Sequence, residues 1–388
     1  MSDQSSSGND IALLKQLIKC PSVTPKEAGA LDAVEAFLTP LGFTCTRLVF
    51  DGDGSYPVDN LFATRGDFGR HILFAGHTDV VPPGDEELWS HKPFSADEAD
   101  GQIWGRGAVD MKSGVACFCA AAELAVKNGD ADKGIISLAI TNDEEADSVN
   151  GSDKLLKWAA KQGHKFDFAI VGEPSSARVL GDNIKIGRRG SISGIVSIKG
   201  KQGHSAYPER AANPVPVLAD LALLLSNTRL DDGTEHFQAS NLEVVSIDVG
   251  NKATNVIPAS GQLSFNIRFN DLWNQESMRA WIGQRVGQVE HDGFEISWQQ
   301  VTAVAQSFVS PVSDDVIIVQ NAVNAITGQT PDLATFGGTS DARFIASYCP
   351  VVECGLVGAT MHQVDERVEI DQVEKLTKIY AGILSNFF

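Results

Sequence analysis

Two patterns of apolar and polar positions divide the chain. From residue 11 to 185, short continuous apolar runs alternate with segments of helical spacing. A strand that is apolar on both faces must be covered on both, so these runs predict a mostly parallel sheet flanked by helices. The apolar runs are 72–76, 134–141 and 168–172, and the helical segments are 26–41, 111–127 and 152–161. This part of the chain therefore predicts an α/β layer sandwich.

The pattern changes near Gly190, where the strand-like segments begin to alternate polar and apolar residues. Alternation is typical of strands with only one buried face. The order of elements is β-α-β-β-α-β, which indicates a split ferredoxin-like unit. Its six segments are 192–198, 214–226, 242–249, 262–269, 278–289 and 294–298.

After about residue 302 the α/β character returns. The later segments are predicted helices over 314–326 and 371–384 and a predicted strand over 351–354. We therefore predict a discontinuous larger domain formed by residues 1–189 and 303–388. Residues 190–302 are predicted to form a smaller domain inserted into it.

Composition restricts the class of protein. A chain of 388 residues is long enough for two domains. Its net charge of −19 disfavours nucleic acid and anionic membranes as partners, because both attract basic surfaces. The chain opens on a polar, acidic stretch, and its six cysteines form no CxxC pair. These features favour reduced thiols and a cytoplasmic location.

Polar residues at the ends of the strand-like runs carry the candidate chemistry. His77 follows run 72–76, Glu144 and Glu145 follow run 134–141, and Glu173 follows run 168–172. The carboxyl ends of parallel strands meet at one edge of a sheet, where ligands bind. Adjacent carboxylates such as Glu144 and Glu145 repel one another, which suggests a bound cation or a shared proton.

Other candidate residues, when each is considered alone, can be explained by a common structural role instead of metal binding. Asp110 stands before a predicted helix, where an Asp is usually an N-cap. His362 is a lone histidine near the C-terminus, which is more often structural. Asp79 projects to the same side of an extended segment as His77, and a carboxylate there is suited to holding a metal-binding imidazole.

Taken together, three motifs resemble one family, the M20 family of co-catalytic zinc peptidases and deacylases. They are GHTDVVP at 76–82, GRGAVDMK at 105–112 and DEE at 143–145. Further motifs at 171–176, 187–191, 203–208 and 337–344 are similar to members that remove succinate from N-succinyl-L,L-2,6-diaminopimelate in lysine and diaminopimelate biosynthesis. The resemblance runs from about residue 10 to the end. It implies a zinc-peptidase-like three-layer α/β catalytic domain with an inserted ferredoxin-like α+β lid and dimerisation domain.

The resemblance also implies a role for individual residues. His77 and Glu173 would hold one zinc ion, Glu145 and His362 would hold a second, and Asp110 would bridge them. Cobalt would be able to replace zinc at one site. Glu144 would be the general base. The Asp110–Met111 peptide bond would be cis.

The inserted domain is expected to complete the active site. The resemblance implies a homodimer in which His204 reaches the site of the partner subunit and stabilises the oxyanion. It also implies contacts with a small anionic N-acyl amino-acid substrate from five residues, which are Arg188, Arg189, Ser191, Asn255 and Arg268. Guanidinium groups suit this task because they bind carboxylates through two parallel hydrogen bonds.

Some positions depart from the pattern of the succinyl-removing members and leave alternatives open. Ser113 and Ala342 stand where glycine is usual, and Asp365 stands where Asn is more frequent. An Asp at that position is common in members that deacetylate acetylornithine, so an acetylornithine deacetylase or another aminoacylase is the first alternative. A non-catalytic ligand-binding relative is the second, although such a protein need not keep Glu144.

Overall fold

The computed structural model describes residues 8–289, 292–301 and 303–388, which divide into two compact units. The larger unit contains the described residues up to Ile186, together with Ser310–Ala334 and Ser340–Phe388. The inserted unit contains Gly187–Val309 and Thr335–Thr339. The predicted insertion, 190–302, lies within the inserted unit, and its last residue, Thr302, is outside the described residues. In the described part of the chain, no helix has the length and apolar character needed to cross a bilayer.

Nine α-helices form in the described residues. They are α1 (Asn9–Ile18), α2 (Ala30–Leu38), α3 (Lys112–Asn128), α4 (Ser152–Lys161), α5 (Pro214–Asn227), α6 (Gln275–Gly287), α7 (Asp314–Thr327), α8 (Ala342–Ile345) and α9 (Ile370–Phe387).

The described residues also form nineteen β-strands. They are β1 (Thr44–Gly52), β2 (Ser55–Arg65), β3 (His71–His77), β4 (Asp97–Ala99), β5 (Gln102–Trp104), β6 (Ile135–Thr141), β7 (Phe168–Val171), β8 (Asn183–Lys185), β9 (Gly187–Arg188), β10 (Gly190–Lys199), β11 (Gly203–His204), β12 (Asn241–Asp248), β13 (Val256–Ile257), β14 (Ser260–Phe269), β15 (Glu295–Gln300), β16 (Phe308–Val309), β17 (Asp332–Ala334), β18 (Val351–Glu353) and β19 (Arg367–Glu369).

The larger unit is built on an eight-stranded mixed sheet in the order β1-β2-β6-β3-β7-β18-β8-β17. Its centre is parallel, because β3 pairs in parallel with β6 and with β7, and β7 pairs in parallel with β18. All seven residues of β3 are buried, as expected for a strand covered on both faces. Helix α3 packs against α1 and α9, whereas α4 packs against β2, β6 and α8. The predicted α/β architecture is confirmed.

The inserted unit is built on a four-stranded antiparallel sheet in the order β12-β14-β10-β15. The four strands of this sheet and the two helices follow one another as β10-α5-β12-β14-α6-β15, the β-α-β-β-α-β succession predicted from the sequence, with the two-residue strands β11 and β13 in the connections. One face of the sheet packs on α5 and α6, around a core that includes Ile192, Leu218, Phe265 and Ile282. Strand β10 alternates buried and half-buried residues along most of its length, which is typical of a sheet with one covered face.

The helix predicted over 26–41 was too long. Helix α2 begins at Ala30, directly after Gly29, whose φ of 87° is left-handed and incompatible with a continuing α-helix. It ends at Leu38 and is followed by a 3₁₀ turn that contains Pro40, a residue without a backbone N–H to donate. Gly42, the predicted cap, has a φ of 84° and ends this 3₁₀ turn rather than the α-helix itself.

Candidate metal centre and active site

The order of strands explains why residues distant in sequence meet. Strand β3 lies between β6 and β7 and is parallel to both, so the three carboxyl ends lie side by side. His77 is the last residue of β3. Glu144 and Glu145 follow β6, and Glu173 follows β7. This edge of the sheet therefore collects one imidazole and three carboxylates.

A first group of possible ligands consists of His77, Asp110 and Glu173, all of them buried. His77 Nε2 lies 3.3 Å from Asp110 Oδ1 and 3.6 Å from Glu173 Oε1. One ligand atom from each residue lies within 4.8 Å of the other two. A cation of ordinary coordination radius would fit between such atoms.

A second group consists of Asp110, Glu145 and His362. His362 Nε2 lies 3.2 Å from Asp110 Oδ2 and 3.1 Å from Glu145 Oε1. Asp110 thus presents Oδ1 to one group and Oδ2 to the other. The structure brings together all five residues that the sequence singled out as ligands, with Asp110 shared between the two groups.

The turn before α3 aims Asp110 at both histidines. The Asp110–Met111 peptide bond is cis, which confirms the prediction. A Cβ atom at Gly114 would lie 2.4 Å from the carbonyl oxygen of Gly172, so only glycine lets this helix approach the segment before Glu173 so closely. The first turn of α3 is therefore packed directly against the end of β7.

The electrostatics indicate an excess of negative charge. Burial and then the charge of Glu173 hold the pKa of Glu144 well above its usual range. Burial and then the charge of Asp110 raise the pKa of Glu173 to about 8. Hydrogen bonds to carboxylates raise the pKa of His362 to about 10, and they hold the pKa of His77 well above its ordinary value although burial opposes this. Hydrogen bonds from the two imidazoles lower the pKa of Asp110 despite its burial.

These observations fit a pair of divalent cations. Carboxylate oxygen and imidazole nitrogen are ligands that zinc accepts, and three protein ligands leave a coordination position open. Burial and then neighbouring carboxylates raise the pKa of Glu144 and Glu173, so positive charge beside them would stabilise their ionised forms. Two divalent cations would supply that charge.

Asp79 contacts two parts of the site. His77 Nδ1 lies 2.9 Å from the backbone carbonyl oxygen of Asp79 and 3.5 Å from its Oδ1, so the carbonyl is the closer acceptor. The Asp79 carboxylate accepts the backbone N–H groups of Glu144 and Glu145, each at 3.2 Å from Oδ2. Asp79 therefore holds the ring of His77 mainly through its backbone and the acidic loop through its side chain.

Asp143 is an anchor of the acidic loop that sequence reasoning had not separated from its neighbours. Its Oδ1 accepts the hydroxyl of Tyr56 at 2.7 Å and the N–H of Ser148 at 3.1 Å. Its Oδ2 accepts the N–H groups of Val149 and Asn150 at 2.8 and 2.9 Å. A carboxylate that accepts four hydrogen bonds has a structural role, which here is to hold the loop in place. The feature of the sequence that could have identified Asp143 is its position shortly after a buried strand and directly before the two glutamates.

In the inserted unit, three of the predicted substrate-binding residues lie together. Ser191 on β10 stands opposite Arg268 on β14 in the strand register. Arg268 Nε donates to Asn266 Oδ1 at 3.1 Å, and Arg189 Nη1 donates to Asn241 Oδ1 at 2.8 Å. Burial and then the positive charge of Arg268 lower the pKa of Arg189, which places the two guanidinium groups within electrostatic reach of each other. This cluster is a cationic surface that suits a carboxylate.

The other predicted residues of the inserted unit make different contacts. His204 is exposed on β11, and its Nδ1 accepts the N–H of Ala206 at 3.0 Å, which leaves Nε2 to carry the proton. Asn255 accepts the N–H of Ser205 through its backbone carbonyl oxygen, so it lies close to His204, next to the two-stranded sheet that β11 forms with β13. Arg188 is buried and donates to the carbonyl oxygens of Phe336 and Gly338, both at 3.3 Å.

The chain belongs to peptidase family M20/M25/M40, whose model matches residues 73–386. The predicted membership of the M20 family, and with it the class of metal-dependent amide hydrolases, is confirmed. Among curated proteins it is similar to a succinyl-diaminopimelate desuccinylase of Rhodopseudomonas palustris (strain TIE-1), with 51% identity over 97% of this chain and 98% of that protein. A succinyl-diaminopimelate desuccinylase of Bradyrhizobium sp. (strain BTAi1 / ATCC BAA-1182) is also 51% identical, over 97% of this chain and 99% of its own length.

Solved structures share the fold at low identity. An M20 family metallo-carboxypeptidase from Sulfolobus solfataricus superimposes with a TM-score of 0.76 at 17% identity, over 97% of this chain and 98% of that one. A dinuclear metal-binding peptidase of the M20 family from Bacillus subtilis gives a TM-score of 0.68 at 14% identity, over 97% of this chain and 96% of its own. These comparisons support the fold and are independent of the close sequence relatives.

Proposed function

We propose that this protein is a zinc-dependent amide hydrolase that removes succinate from N-succinyl-L,L-2,6-diaminopimelate. The observation that carries the proposal is geometric: two groups of ligands share the carboxylate of Asp110 beside a glutamate that is not itself a ligand. The name and near-complete overlap of the curated relatives support this choice of substrate.

His77, Asp110 and Glu173 would hold one zinc ion, and Asp110, Glu145 and His362 would hold the other. Bound zinc would supply positive charge that polarises an amide carbonyl and makes water more acidic. The backbone N–H of Asp110 donates to Glu366 Oε1 at 3.2 Å, which holds this residue in place between the two groups of ligands. Cobalt could occupy one of the two positions.

Glu144 would move the protons. Its carboxylate lies within 4.0 Å of His77 Nε2 and is largely screened from solvent. It would accept a proton from the attacking water and deliver it to the nitrogen of the leaving amine.

The inserted unit would recognise the substrate and complete the site. Arg189, Arg268 and Ser191 would bind a carboxylate of the substrate, and Arg188 and Asn255 would make further contacts with it. We propose a homodimer in which His204 stabilises the developing oxyanion in the partner subunit. Exposed apolar side chains in this unit, such as Leu223 at 61% and Val245 at 64%, support self-association. All six cysteines are free thiols, which supports a cytoplasmic location.

Asp365 stands where the succinyl-removing members more often have Asn, but its contacts in the structure do not favour an acetyl substrate. Its Oδ1 accepts the backbone N–H of Ser90 at 2.7 Å, and its Oδ2 accepts the Ser90 hydroxyl at 2.8 Å. The carboxylate therefore ties the loop after His362 to a neighbouring loop of the larger unit. A residue with this local task is a weak determinant of the acyl group.

A comparison of two substrates tests the proposal. The zinc-loaded protein is assayed with N-succinyl-L,L-2,6-diaminopimelate and with N-acetylornithine under identical conditions. We expect kcat/KM to be at least about 100-fold higher for the succinyl compound, because N-acetylornithine lacks the succinyl carboxylate and would leave a guanidinium group of the site without its partner. A preference for N-acetylornithine would identify the protein as a deacetylase instead.

A further inference from the structure

A segment near the N-terminus is fixed alongside the end of β3. Ser22 Oγ donates to the carbonyl oxygen of Thr78 at 2.6 Å. The N–H of Val80 donates to the carbonyl of Ser22 at 3.0 Å, and the N–H of Thr24 donates to the carbonyl of Val80 at 3.3 Å. Three hydrogen bonds thus hold residues 22–24 beside residues 78–80. This places the side chain of Thr24 next to the candidate site.

The hydroxyl of Thr24 donates to Asp79 Oδ2 at 2.7 Å. Asp79 has no solvent exposure, so each donor that reaches its carboxylate replaces a hydrogen bond that water cannot make there. The same Oδ2 atom accepts the N–H groups of Glu144 and Glu145. One oxygen therefore joins Thr24 to the backbone of the two glutamates.

The position of Asp79 Oδ2 helps to determine where the backbone of Glu144 and Glu145 lies. The carboxylate of Asp79 can rotate about its Cβ–Cγ bond unless a donor holds it, and a hydroxyl donating to a carboxylate makes a short, strong hydrogen bond. If that 2.7 Å hydrogen bond is lost, the longer bonds at 3.2 Å from the N–H groups of Glu144 and Glu145 hold Oδ2 without it, so the carboxylate and these two residues are fixed less firmly. The ring of His77 is held separately by the carbonyl oxygen of Asp79 and should keep its place.

We infer that Thr24 is a positioning residue for Glu144 and Glu145, acting through Asp79. The inference rests on the proposed function for its effect on turnover, but its effect on metal binding does not depend on the substrate. Thr24 lies before residues 73–386, the region that the family model matches, so membership of the family does not assign it a role.

The test compares Thr24→Val, Thr24→Ala and Thr24→Ser. Valine keeps the shape of threonine without the hydroxyl, alanine avoids any clash, and serine restores the hydroxyl. We expect the first two variants to lose about 10-fold or more in kcat with KM within a factor of about two, since a hydrogen bond to a charged group is worth at least that much. Thr24→Ser should recover most of the loss.

Metal binding is the readout that does not require turnover. Competition with a chelator should show that one of the two zinc ions, the one held by Glu145 and His362, binds about 10-fold more weakly in Thr24→Val. The other zinc ion should bind as in the wild type. If the wild-type protein released no succinate, the proposed function would fail, yet this measurement would still decide the role of Thr24.

Thr377→Val is the matched control for a purely structural loss. Its hydroxyl donates to Asp10 Oδ2 at 2.8 Å in a buried pair outside the candidate site. We expect it to lower the thermal midpoint about as much as Thr24→Val and to leave kcat and both zinc affinities unchanged. Wild-type kcat and zinc affinity in folded Thr24→Val and Thr24→Ala would overturn the inference, as would a Thr24→Ser variant as impaired as Thr24→Val.

Discussion

Arg106 Nη1 donates to Glu366 Oε2 over 2.6 Å, and both side chains are almost completely withdrawn from solvent. The other oxygen of Glu366 accepts the backbone N–H groups of Val109 and Asp110 at 2.9 and 3.2 Å. Arg106 also donates to the carbonyl oxygen of His362 at 3.4 Å. The pair therefore ties the turn that carries Asp110 to the loop that carries His362.

Replacing Glu366 should damage both stability and metal binding. The Glu366→Gln variant leaves the buried guanidinium of Arg106 without a counter-charge, which typically costs about 3–5 kcal/mol. We expect the free energy of unfolding, measured with urea on metal-free protein, to fall by that amount. Zinc binding at the group formed by Asp110, Glu145 and His362 should weaken as well.

An exposed ion pair provides the control for Glu366→Gln. Lys375 Nζ lies 2.6 Å from Asp371 Oδ2 on the surface of α9. Asp371→Asn is the same change from carboxylate to amide, and it should alter the free energy of unfolding by less than about 1 kcal/mol. Equal effects of the two changes would show that burial of the Arg106–Glu366 pair is unimportant.

Glu144→Gln should separate metal binding from turnover. The amide cannot accept a proton, and Glu144 belongs to neither group of ligands, so two zinc ions per chain should remain bound. We expect kcat to fall by about 10²–10⁴-fold or more. Glu98→Gln, at an exposed carboxylate paired with Lys15, is the control and should keep wild-type turnover. A Glu144→Gln variant within about threefold of the wild type would exclude the role of general base.

Much of the fold and of the ligand set could be predicted because local patterns carried the information. The apolar run before His77 and the run before Glu144 indicated buried strands, and the rule that carboxyl ends of parallel strands converge placed their polar ends together. The local pattern did not show that Lys26 lies outside the helix predicted over 26–41. Its segment has helical spacing, and the spacing does not show that Gly29 adopts the left-handed conformation after which α2 begins.

Contacts between distant segments could not be predicted. Nothing in the local sequence of Thr24 indicates that its hydroxyl reaches Asp79, since the contact depends on how the N-terminal segment packs beside β3. The charge of Glu366 was visible, but its partner Arg106 is 260 positions away, and only the folded structure pairs them. Hydrogen-bond partners of this kind are set by tertiary packing.

The imidazole of His71 should make the protein less stable in mild acid. It is 3% exposed, and burial, with a smaller contribution from His164, lowers its pKa to about 4. Between that value and the ordinary pKa of about 6.5, the unfolded chain binds a proton that the folded chain does not. The free energy of unfolding contributed by this group therefore falls as the pH falls from 6.5 towards 4.

Urea unfolding of metal-free protein at pH 7.5 and pH 5.0 measures this contribution. We expect the wild type to lose about 2 kcal/mol more between these pH values than His71→Gln, which has no titrating group at that position. The comparison cancels groups that titrate in both proteins. An equal loss in the two proteins would show that His71 is protonated in the folded state at pH 5.0.

Mixed dimers test whether His204 acts across a subunit interface. His204→Ala and Glu144→Gln subunits are each expected to be nearly inactive. In a mixed dimer both lesions would fall in one active site and leave the other intact, so activity should return to about one quarter of the wild type at equal mixing. An absence of recovery despite demonstrated subunit exchange would mean that His204 acts within its own chain or not at all.

Succinate release measured against bound zinc tests the central claim most directly. Metal-free protein is titrated with zinc, and the release of succinate from N-succinyl-L,L-2,6-diaminopimelate is followed at each ratio of metal to chain. We predict no release without metal and a rise in rate that saturates at two zinc ions per chain, accompanied by equal amounts of succinate and diaminopimelate. Full activity in the absence of metal, or no release of succinate by protein that holds two zinc ions, would contradict the account.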